Sequence, residues 1–246
     1  RCDGLEMIQQ DHGSGNVILV TGANGFLGRN LCSYLEQKGY RVRALVRSPD
    51  KCRELKTIVS GGLFRYSMPS RIEENALHGN IAGVIHCAFS TRGDCSANSF
   101  ETSIVGSQKL IEQFHRHELG PVVFLSSLAA HSTAESQYGR AKYRVEKLLN
   151  PDSDLVVKPG LIVGDGGLFA RIRESIRRFP LVPLFYGGKQ QIQVISVLDL
   201  CQIVEVFLHE GVRGAHAIAA NPPYPVKEFY RSIASLENRH CRFVRL

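Results

Sequence analysis

Residues 17–28 read VILVTGANGFLG, an apolar run followed by a turn with glycines at positions 22, 25 and 28. Apolar side chains at helical spacing follow, so the segment predicts a strand, a tight turn and a helix. Glycine lets the backbone turn sharply, approach a pyrophosphate closely and pack the helix against the strand, and the first N–H groups of the helix can bind the anion. The predicted cofactor-binding residues of this loop are Gly22, Asn24, Gly25, Phe26, Leu27 and Gly28.

Further apolar runs alternate with helical stretches along the chain. They are RVRALV (41–46), AGVIHCAF (82–89), PVVFLSS (121–127) and DLVVKPGLIVG (154–164). The alternation predicts an α/β fold of the Rossmann type, in which helices cover both faces of a doubly wound, mainly parallel sheet. Between residues 48 and 80 we expect a short helix, a strand near Leu63–Tyr66 and another helix before Ile81.

The pattern of the chain predicts three parts. Residues 1–16 begin without Met and lack the pattern of a targeting signal, so we interpret them as a flexible lead-in. Residues 17–165 form the predicted dinucleotide-binding core. Residues 166–246 change to a helical stretch, short apolar runs and a helix from about residue 199 to residue 209. This part predicts a small C-terminal substrate-binding lobe, interleaved with the core in a single structural unit.

The composition excludes several classes of protein. With 43% hydrophobic and 22% charged residues over 246 positions, the chain is neither disordered nor fibrous. No run approaches the ~18 consecutive apolar residues of a membrane-spanning helix. The seven cysteines are scattered and never form a C-x-x-C pair, which argues against a disulfide framework and a metal site. The net charge of +7 is spread along the chain, so we expect a basic surface, no nucleic-acid or membrane partner, and a cytoplasmic location.

The end of the second strand indicates which dinucleotide is bound. An NAD-selective site usually has a carboxylate there for the ribose hydroxyls, whereas this strand is followed by Arg47, Ser48 and Lys51. A guanidinium can form a bidentate hydrogen bond with a 2′-phosphate and can stack on adenine. Arg47 therefore favours NADP, with NAD as the alternative. A second interpretation of Arg47 is a solvated loop residue.

Tyr138 and Lys142 lie four residues apart in a helical segment and therefore share a face. A nearby ammonium favours the phenolate, so we expect the pKa of the tyrosine to lie below its usual value of about 10. That shift would make Tyr138 a general acid/base. Glu146, one turn beyond Lys142, is expected to form an ion pair on the helix face and to take no part in the chemistry.

Several segments occur in an order that resembles one known family. They are TGANGFLG, VIHCAF, VVFLSSLAAHS, QYGRAKYRVEKLL, VKPGLIVGDGG and VISVLDL. Together they resemble the extended short-chain dehydrogenase/reductase family, the NAD-dependent epimerase/dehydratase-like proteins, from about Val17 to the end of the chain. The resemblance implies a Ser/Tyr/Lys active site formed by Ser127, Tyr138 and Lys142, in which Lys142 also holds the nicotinamide ribose.

The resemblance also implies contacts with the cofactor at Ala88, Lys158 and Pro159. The sequence departs from the family pattern at two places. Ser103 stands where the family commonly has an asparagine, and the segment GGLFRYSMPS (61–70) lacks the usual acidic residue that contacts adenine.

Three hypotheses about function remain open at this point. The first is an NAD(P)-dependent oxidoreductase that moves a hydride between nicotinamide and a carbonyl or alcohol of a small substrate. The second is a nucleotide-sugar epimerase or dehydratase with retained NAD, and the third is a non-catalytic NADPH-binding accessory or sensor protein.

The arginines of the predicted helix after residue 166 could contact an anionic group on the substrate, or could form a solvated face. They are Arg171, Arg173, Arg177 and Arg178. Relatives of this family often dimerise, so a homodimer is an expectation by resemblance.

Overall fold

The computed structural model describes residues 16–90, 97–220 and 222–245. The predicted lead-in lies outside these ranges, apart from residue 16. The strands are β1 (Val17–Thr21), β2 (Arg41–Val46), β3 (Leu63–Arg65), β4 (Ile81–His86), β5 (Val122–Leu125), β6 (Leu155–Pro159), β7 (Leu161–Val163), β8 (Leu181–Leu184), β9 (Gln191–Ile192), β10 (Val194–Ser196), β11 (Gly214–Ile218), β12 (Tyr224–Pro225) and β13 (Arg242–Arg245). The α-helices are α1 (Phe26–Gln37), α2 (Arg53–Ile58), α3 (Ala97–Arg116), α4 (Gln137–Glu146), α5 (Gly167–Arg178), α6 (Val197–His209) and α7 (Val226–Leu236).

Seven of the described strands form one sheet in the order β11-β6-β5-β4-β1-β2-β3, and every neighbouring pair is parallel. The chain runs outward from β1 to β3 and then returns to β4 on the other side of β1. β1 and β4 therefore flank the topological switch point, where ligands of open α/β sheets bind beyond the carboxyl ends of the strands. The predicted Rossmann-type fold is confirmed.

Both faces of the sheet are buried, which explains why its central strands read as continuous apolar runs. On one face Ile18 and Val20 pack with Leu31 and Leu35 of α1 and with residues of α6. On the opposite face Leu19 packs with residues of α3 and α4. The helix that carries the predicted tyrosine and lysine is thus held against the sheet by an apolar core. No helix among the described residues has the length and hydrophobicity needed to cross a bilayer.

The structure corrects the sequence prediction in four places. The run 154–164 is two strands, because at Gly160 the chain leaves the main sheet and β7 pairs with β10 instead. A Cβ at Gly160 would lie 2.5 Å from the carbonyl oxygen of Gln193, so only glycine fits this crossing. The helix expected before Ile81 is only a 3₁₀ turn, Glu74–Ala76. One of the short apolar runs of the last third, QIQVIS (191–196), forms two strands, β9 and β10. The helix α7 was not predicted.

The last third of the chain contributes to the main sheet as well as to a separate cluster. β11 forms an edge strand of the main sheet beside β6, and Leu200, Cys201 and Val204 of α6 belong to the same core cluster as the apolar residues of α1. A smaller cluster, with Ile176 of α5 and Ile233 of α7 at its centre, lies in this third of the chain.

Asp154 is a buried carboxylate that connects three elements, and we expect its removal to be costly. It accepts hydrogen bonds from Val122 N (3.0 Å), Asn150 N (2.9 Å) and His115 Nε2 (2.8 Å). Asp154→Ala leaves two backbone N–H groups without an acceptor, so the free energy of unfolding should fall by about 2–4 kcal/mol in urea denaturation. The control Asp152→Ala, at an exposed position two residues earlier, should change it by less than ~0.5 kcal/mol. Equal effects of the two substitutions would contradict this role.

Candidate active site

The glycine-rich turn after β1 has the backbone geometry that a bound pyrophosphate requires. Gly22 has φ +64°, and a Cβ there would lie 2.9 Å from the Cα of Ala88. A Cβ at Gly28 would lie 2.3 Å from the carbonyl oxygen of Gly22, so this glycine allows α1 to lie against the turn. Gly25 is the N-cap of α1, and no side chain caps the helix. The first turn of α1 therefore offers its N–H groups, with a partial positive charge, to an anion.

Two cavities open on either side of Asn24 and Arg29. The larger, about 630 Å³, lies between the start of α1 and the turns before α5 and α6, and its lining includes Gly25, Phe26 and Gly164. The smaller, about 340 Å³, is lined by residues 50–55 in addition to Asn24 and Arg29. The two cavities meet beside the N-terminus of α1, and their linings include none of the predicted residues Arg47, Ser127, Tyr138 and Lys142. Leu27, the other apolar residue predicted at the start of α1, packs against the core and lines neither cavity.

The smaller cavity carries both signs of charge. Arg47 is exposed at the end of β2 and makes no hydrogen bond or ion pair with the residues that the structure describes. Lys51, Arg53 and Arg29 line the cavity, as do Asp50 and Glu54, which the sequence prediction left out. Each acid faces a cation: Glu54 lies 2.7 Å from Arg29, and Asp50 lies 3.9 Å from Arg65. Arg29, which lines both cavities, was also missed by the sequence prediction.

A buried chain of hydrogen bonds fixes the strand ends at the switch point. Thr21 Oγ1 lies 2.7 Å from His86 Nδ1, and His86 Nε2 lies 2.8 Å from Ser107 Oγ. Ser107 donates to the carbonyl oxygen of Ser103, so it accepts from Nε2–H, and Nδ1 accepts from Thr21. Burial lowers the pKa of His86 to about 3, so the ring is neutral. Since Ala88 N donates to Thr21 Oγ1 (3.1 Å), this chain holds Ala88 beside the turn.

Ser103, which replaces the asparagine of the family pattern, is buried in α3 and joins that helix to the loop after β4. Its hydroxyl donates to Ser99 O (3.0 Å) and accepts from Ser90 N (3.1 Å). The serine therefore supports the backbone beyond Ala88 by a side-chain bond of its own.

Ser127 lies in the loop after β5, at the carboxyl edge of the sheet. Its hydroxyl accepts from Ala129 N (3.2 Å), and the side chain is partly exposed. The loop is joined to β6 by Ser126 N to Val157 O (2.7 Å) and by Leu128 N to Pro159 O (3.1 Å). The predicted residues Ser127 and Pro159 are thus brought to neighbouring strand ends.

Tyr138 and Lys142 share one face of α4, as the spacing predicts, and that face is buried against the sheet. Lys142 Nζ donates to Leu125 O (2.6 Å) at the end of β5 and lies 4.2 Å and 4.4 Å from the ring centroids of Phe89 and Phe124. It lies 6.0 Å from the ring centroid of Tyr138. Phe89 also packs edge-on against Tyr138, with ring centroids 6.0 Å apart. Phe89 is a site residue that the sequence prediction missed, since only the fold brings it to α4.

The predicted lowering of the tyrosine pKa is wrong for this structure. Burial raises the pKa of Tyr138 to about 12 and lowers the pKa of Lys142 to about 7. Near neutral pH the lysine is therefore only partly charged, and its ammonium points to a carbonyl oxygen rather than to the phenol. Desolvation outweighs the attraction that the spacing suggested.

Lys158, which the resemblance places beside the cofactor, binds groups of two neighbouring segments. Its ammonium donates to Ala130 O (2.5 Å) and to Glu146 Oε2 (2.9 Å), and the second oxygen of Glu146 accepts from Ser126 Oγ. The expectation that Glu146 forms only a helix-face ion pair is therefore incomplete, because its side chain is 9% exposed and reaches two strand ends.

Two of the four arginines of α5 are occupied by a carboxylate. Arg173 and Arg177 both pair with Glu237, which follows α7, and Arg173 also lies 3.4 Å from Asp165. Arg171 and Arg178 are exposed and remain the candidates for contact with an anionic substrate.

Comparison with known proteins agrees with this architecture. A profile of the NAD dependent epimerase/dehydratase family matches residues 18–221. The ceramide reductase of Caulobacter vibrioides is 27% identical over 244 residues, an alignment that covers 94% of this chain and 73% of that protein. Cinnamoyl-CoA reductase 1 of Petunia hybrida is 33% identical over 128 residues, which cover 48% of this chain and only 37% of that protein.

Among solved structures, UDP-glucose 4-epimerase from Thermotoga maritima superposes with a TM-score of 0.75 at 19% identity. The superposition covers 94% of this chain and 85% of that one. At this level of identity the similarity concerns the fold.

Proposed function

Because the chain belongs to the NAD-dependent epimerase/dehydratase family, whose members are epimerases, dehydratases and reductases, we propose that it is an NADP-dependent reductase. In the proposed reaction a hydride passes from the nicotinamide to a carbonyl group of a small substrate. The observation that carries the proposal is the pair of Tyr138 and Lys142 on the buried face of α4, beside a loop built for a dinucleotide. The two curated relatives described above are named as reductases, which supports reduction over epimerisation.

The residues present fit a nicotinamide dinucleotide. Gly22 and Gly28 leave a cradle that any Cβ would fill, and the uncapped start of α1 suits the pyrophosphate. Arg47, Lys51 and Arg29 are the candidates for the adenosine end, and Lys142 for the nicotinamide ribose. When bound, the reduced cofactor supplies the hydride.

The protein's own residues would handle the oxygen of the substrate. Tyr138, with its pKa raised to about 12, keeps its proton at neutral pH and can donate it to the carbonyl oxygen as negative charge develops there. Ser127 Oγ would donate a hydrogen bond to the same oxygen and orient the carbonyl. A tyrosine that holds its proton suits reduction better than oxidation, in which the same group would have to accept one.

The first experiment is a titration of cofactor-stripped protein with NADPH and NADH, followed by nicotinamide fluorescence. We expect NADPH to bind clearly more tightly than NADH. NAD that resists stripping would instead favour the nucleotide-sugar epimerase or dehydratase hypothesis, and binding of neither would favour a non-catalytic protein.

The role proposed for Arg47 can be tested by reversing its charge. Arg47→Asp removes a charge-assisted contact with the 2′-phosphate, so the affinity for NADPH should fall about 10–100-fold while that for NADH changes little. Arg41→Asp, at the exposed opposite end of β2, is the matched control and should leave the ratio of the two affinities within about two-fold. A common loss in both variants would mean that only the net charge matters.

A further inference from the structure

Glu146, the last residue of α4, holds two strand ends of the candidate site together. One carboxylate oxygen accepts from Ser126 Oγ at the end of β5, and the other accepts from Lys158 Nζ of β6 at 2.9 Å. The side chains of Glu146 and Lys158 are 9% and 19% exposed, so this ion pair is largely shielded from water. Charge-assisted bonds in such surroundings are short and strong.

The same contacts determine the position of Ser127. Ser126 is its neighbour in the chain, and Lys158 Nζ also donates to Ala130 O (2.5 Å) at the far end of the loop. The loop that presents Ser127 is therefore tied at both ends to groups that the carboxylate of Glu146 organises. No pattern in the sequence indicated this, since Ser126 and Lys158 come to α4 only through the order of the strands.

Glu146 also lies one turn from Lys142, and its negative charge acts on that lysine. The other titratable groups that face Lys142 are neutral near pH 7. Burial lowers the pKa of His86 to about 3 and raises those of Cys87 and Tyr138 to about 12. Among the described residues that act on the Lys142 ammonium, Glu146 is therefore the one whose carboxylate forms an ion pair, with Lys158.

We propose that Glu146 is a positioning residue of the site: its carboxylate fixes the loop of Ser127 and places a negative charge one helical turn from Lys142. The inference rests on the proposed function, because it assigns to Glu146 the support of the groups that would carry the reaction. Lys158 Nζ lies 2.9 Å from the same carboxylate, so its positive charge partly offsets the negative charge of Glu146.

The test is an NMR titration of Lys142 in protein with isotope-labelled lysine, which needs neither cofactor nor substrate. In Glu146→Gln the midpoint of the Lys142 titration should fall by about one pH unit, because the favourable charge is lost. In Lys158→Met it should rise, because the competing cation is lost. The matched control is Glu101→Gln. Glu101 is an exposed residue of α3 whose carboxylate lies 2.9 Å from Arg144 of α4, so its removal should leave the Lys142 midpoint unchanged.

The opposite directions of the two midpoint shifts distinguish this proposal from a purely structural role of Glu146. A structural role would shift the Lys142 midpoint in the same direction in both variants, or in neither. Should Glu146→Gln fold poorly, Lys158→Met alone carries the test, and a Lys142 midpoint that does not rise in that variant overturns the inference. A midpoint that is the same in Glu146→Gln and Glu101→Gln overturns the inference. A wild-type protein that fails to bind NADPH but shows the opposite shifts would refute the proposed function while leaving the electrostatic role of Glu146 intact.

Discussion

Tyr138→Phe is expected to lower the rate of carbonyl reduction by about 10²–10⁴-fold while leaving NADPH binding within about two-fold of the wild type. The substitution removes only the hydroxyl group. The ring keeps its packing against Phe89, so the face of α4 and the neighbouring Lys142 should stay in place. The measurement is NADPH oxidation with a panel of aldehydes and ketones, on a substrate that the wild-type protein turns over.

A matched control exists on the same helix. Tyr143 and Lys147 repeat the spacing of Tyr138 and Lys142, and Lys147 Nζ lies 5.0 Å from the ring centroid of Tyr143. Lys147 is exposed, however, whereas Lys142 is 3% exposed. Tyr143→Phe should therefore leave the rate unchanged. Undiminished reduction in Tyr138→Phe would refute the assignment of the proton donor.

These two pairs show how far the sequence alone could lead. Spacing on a helix predicts that a tyrosine and a lysine share a face, and both pairs obey it. What separates them is the direction of the face, which depends on the two aromatic residues that cover Lys142: Phe89, which follows β4, and Phe124 of β5. The glycine-rich loop was predictable for a different reason: Gly28 is required by a backbone contact close in sequence, with the carbonyl oxygen of Gly22, and Gly22 has a positive φ.

The remaining features depend on contacts between distant segments. Gly160 ends β6 because the carbonyl of Gln193 leaves no room for a side chain, and nothing near position 160 in the sequence indicates that neighbour. The shift of the Tyr138 pKa was predicted in the wrong direction. The spacing indicated how close the charge of Lys142 is, but it did not indicate how deeply the phenol is buried. Desolvation depends on the whole fold, so its balance against a charge four residues away could not be obtained from the helix alone.

Lys142→Met is expected to stabilise the protein while reducing carbonyl reduction at least ~100-fold. Burial lowers the pKa of Lys142 from an ordinary 10.5 to about 7. Near pH 7 the unfolded chain therefore binds a proton that the folded chain holds only weakly, and this difference opposes folding. Methionine fills similar space without a charge, so the free energy of unfolding at pH 7 should rise by roughly 2–4 kcal/mol.

The destabilising effect of Lys142 on the folded protein should depend on pH. Between the folded pKa of about 7 and the ordinary value of 10.5, the unfolded state binds more protons, so Lys142 makes the wild-type protein more stable as the pH rises. The cost of the buried ammonium is fully present below pH 7 and is lost as the pH approaches 10.5. The measurement is urea denaturation at a series of pH values between about 7 and 8.5, below the ordinary pKa of cysteine, because the buried thiols lower the stability at higher pH. The wild type and the control Lys147→Met should show the slope, and Lys142→Met should show a smaller one.

A lower stability of Lys142→Met at neutral pH would have a definite meaning. It would show that the bond to Leu125 O and the faces of Phe89 and Phe124 compensate the ammonium for its lost water. The expected result instead implies that the protein retains a destabilising group at this position. Such a cost is intelligible if a lysine that can gain and lose a proton near neutral pH is needed beside Tyr138, where it can bind the ribose and respond to the charge that develops in the reaction.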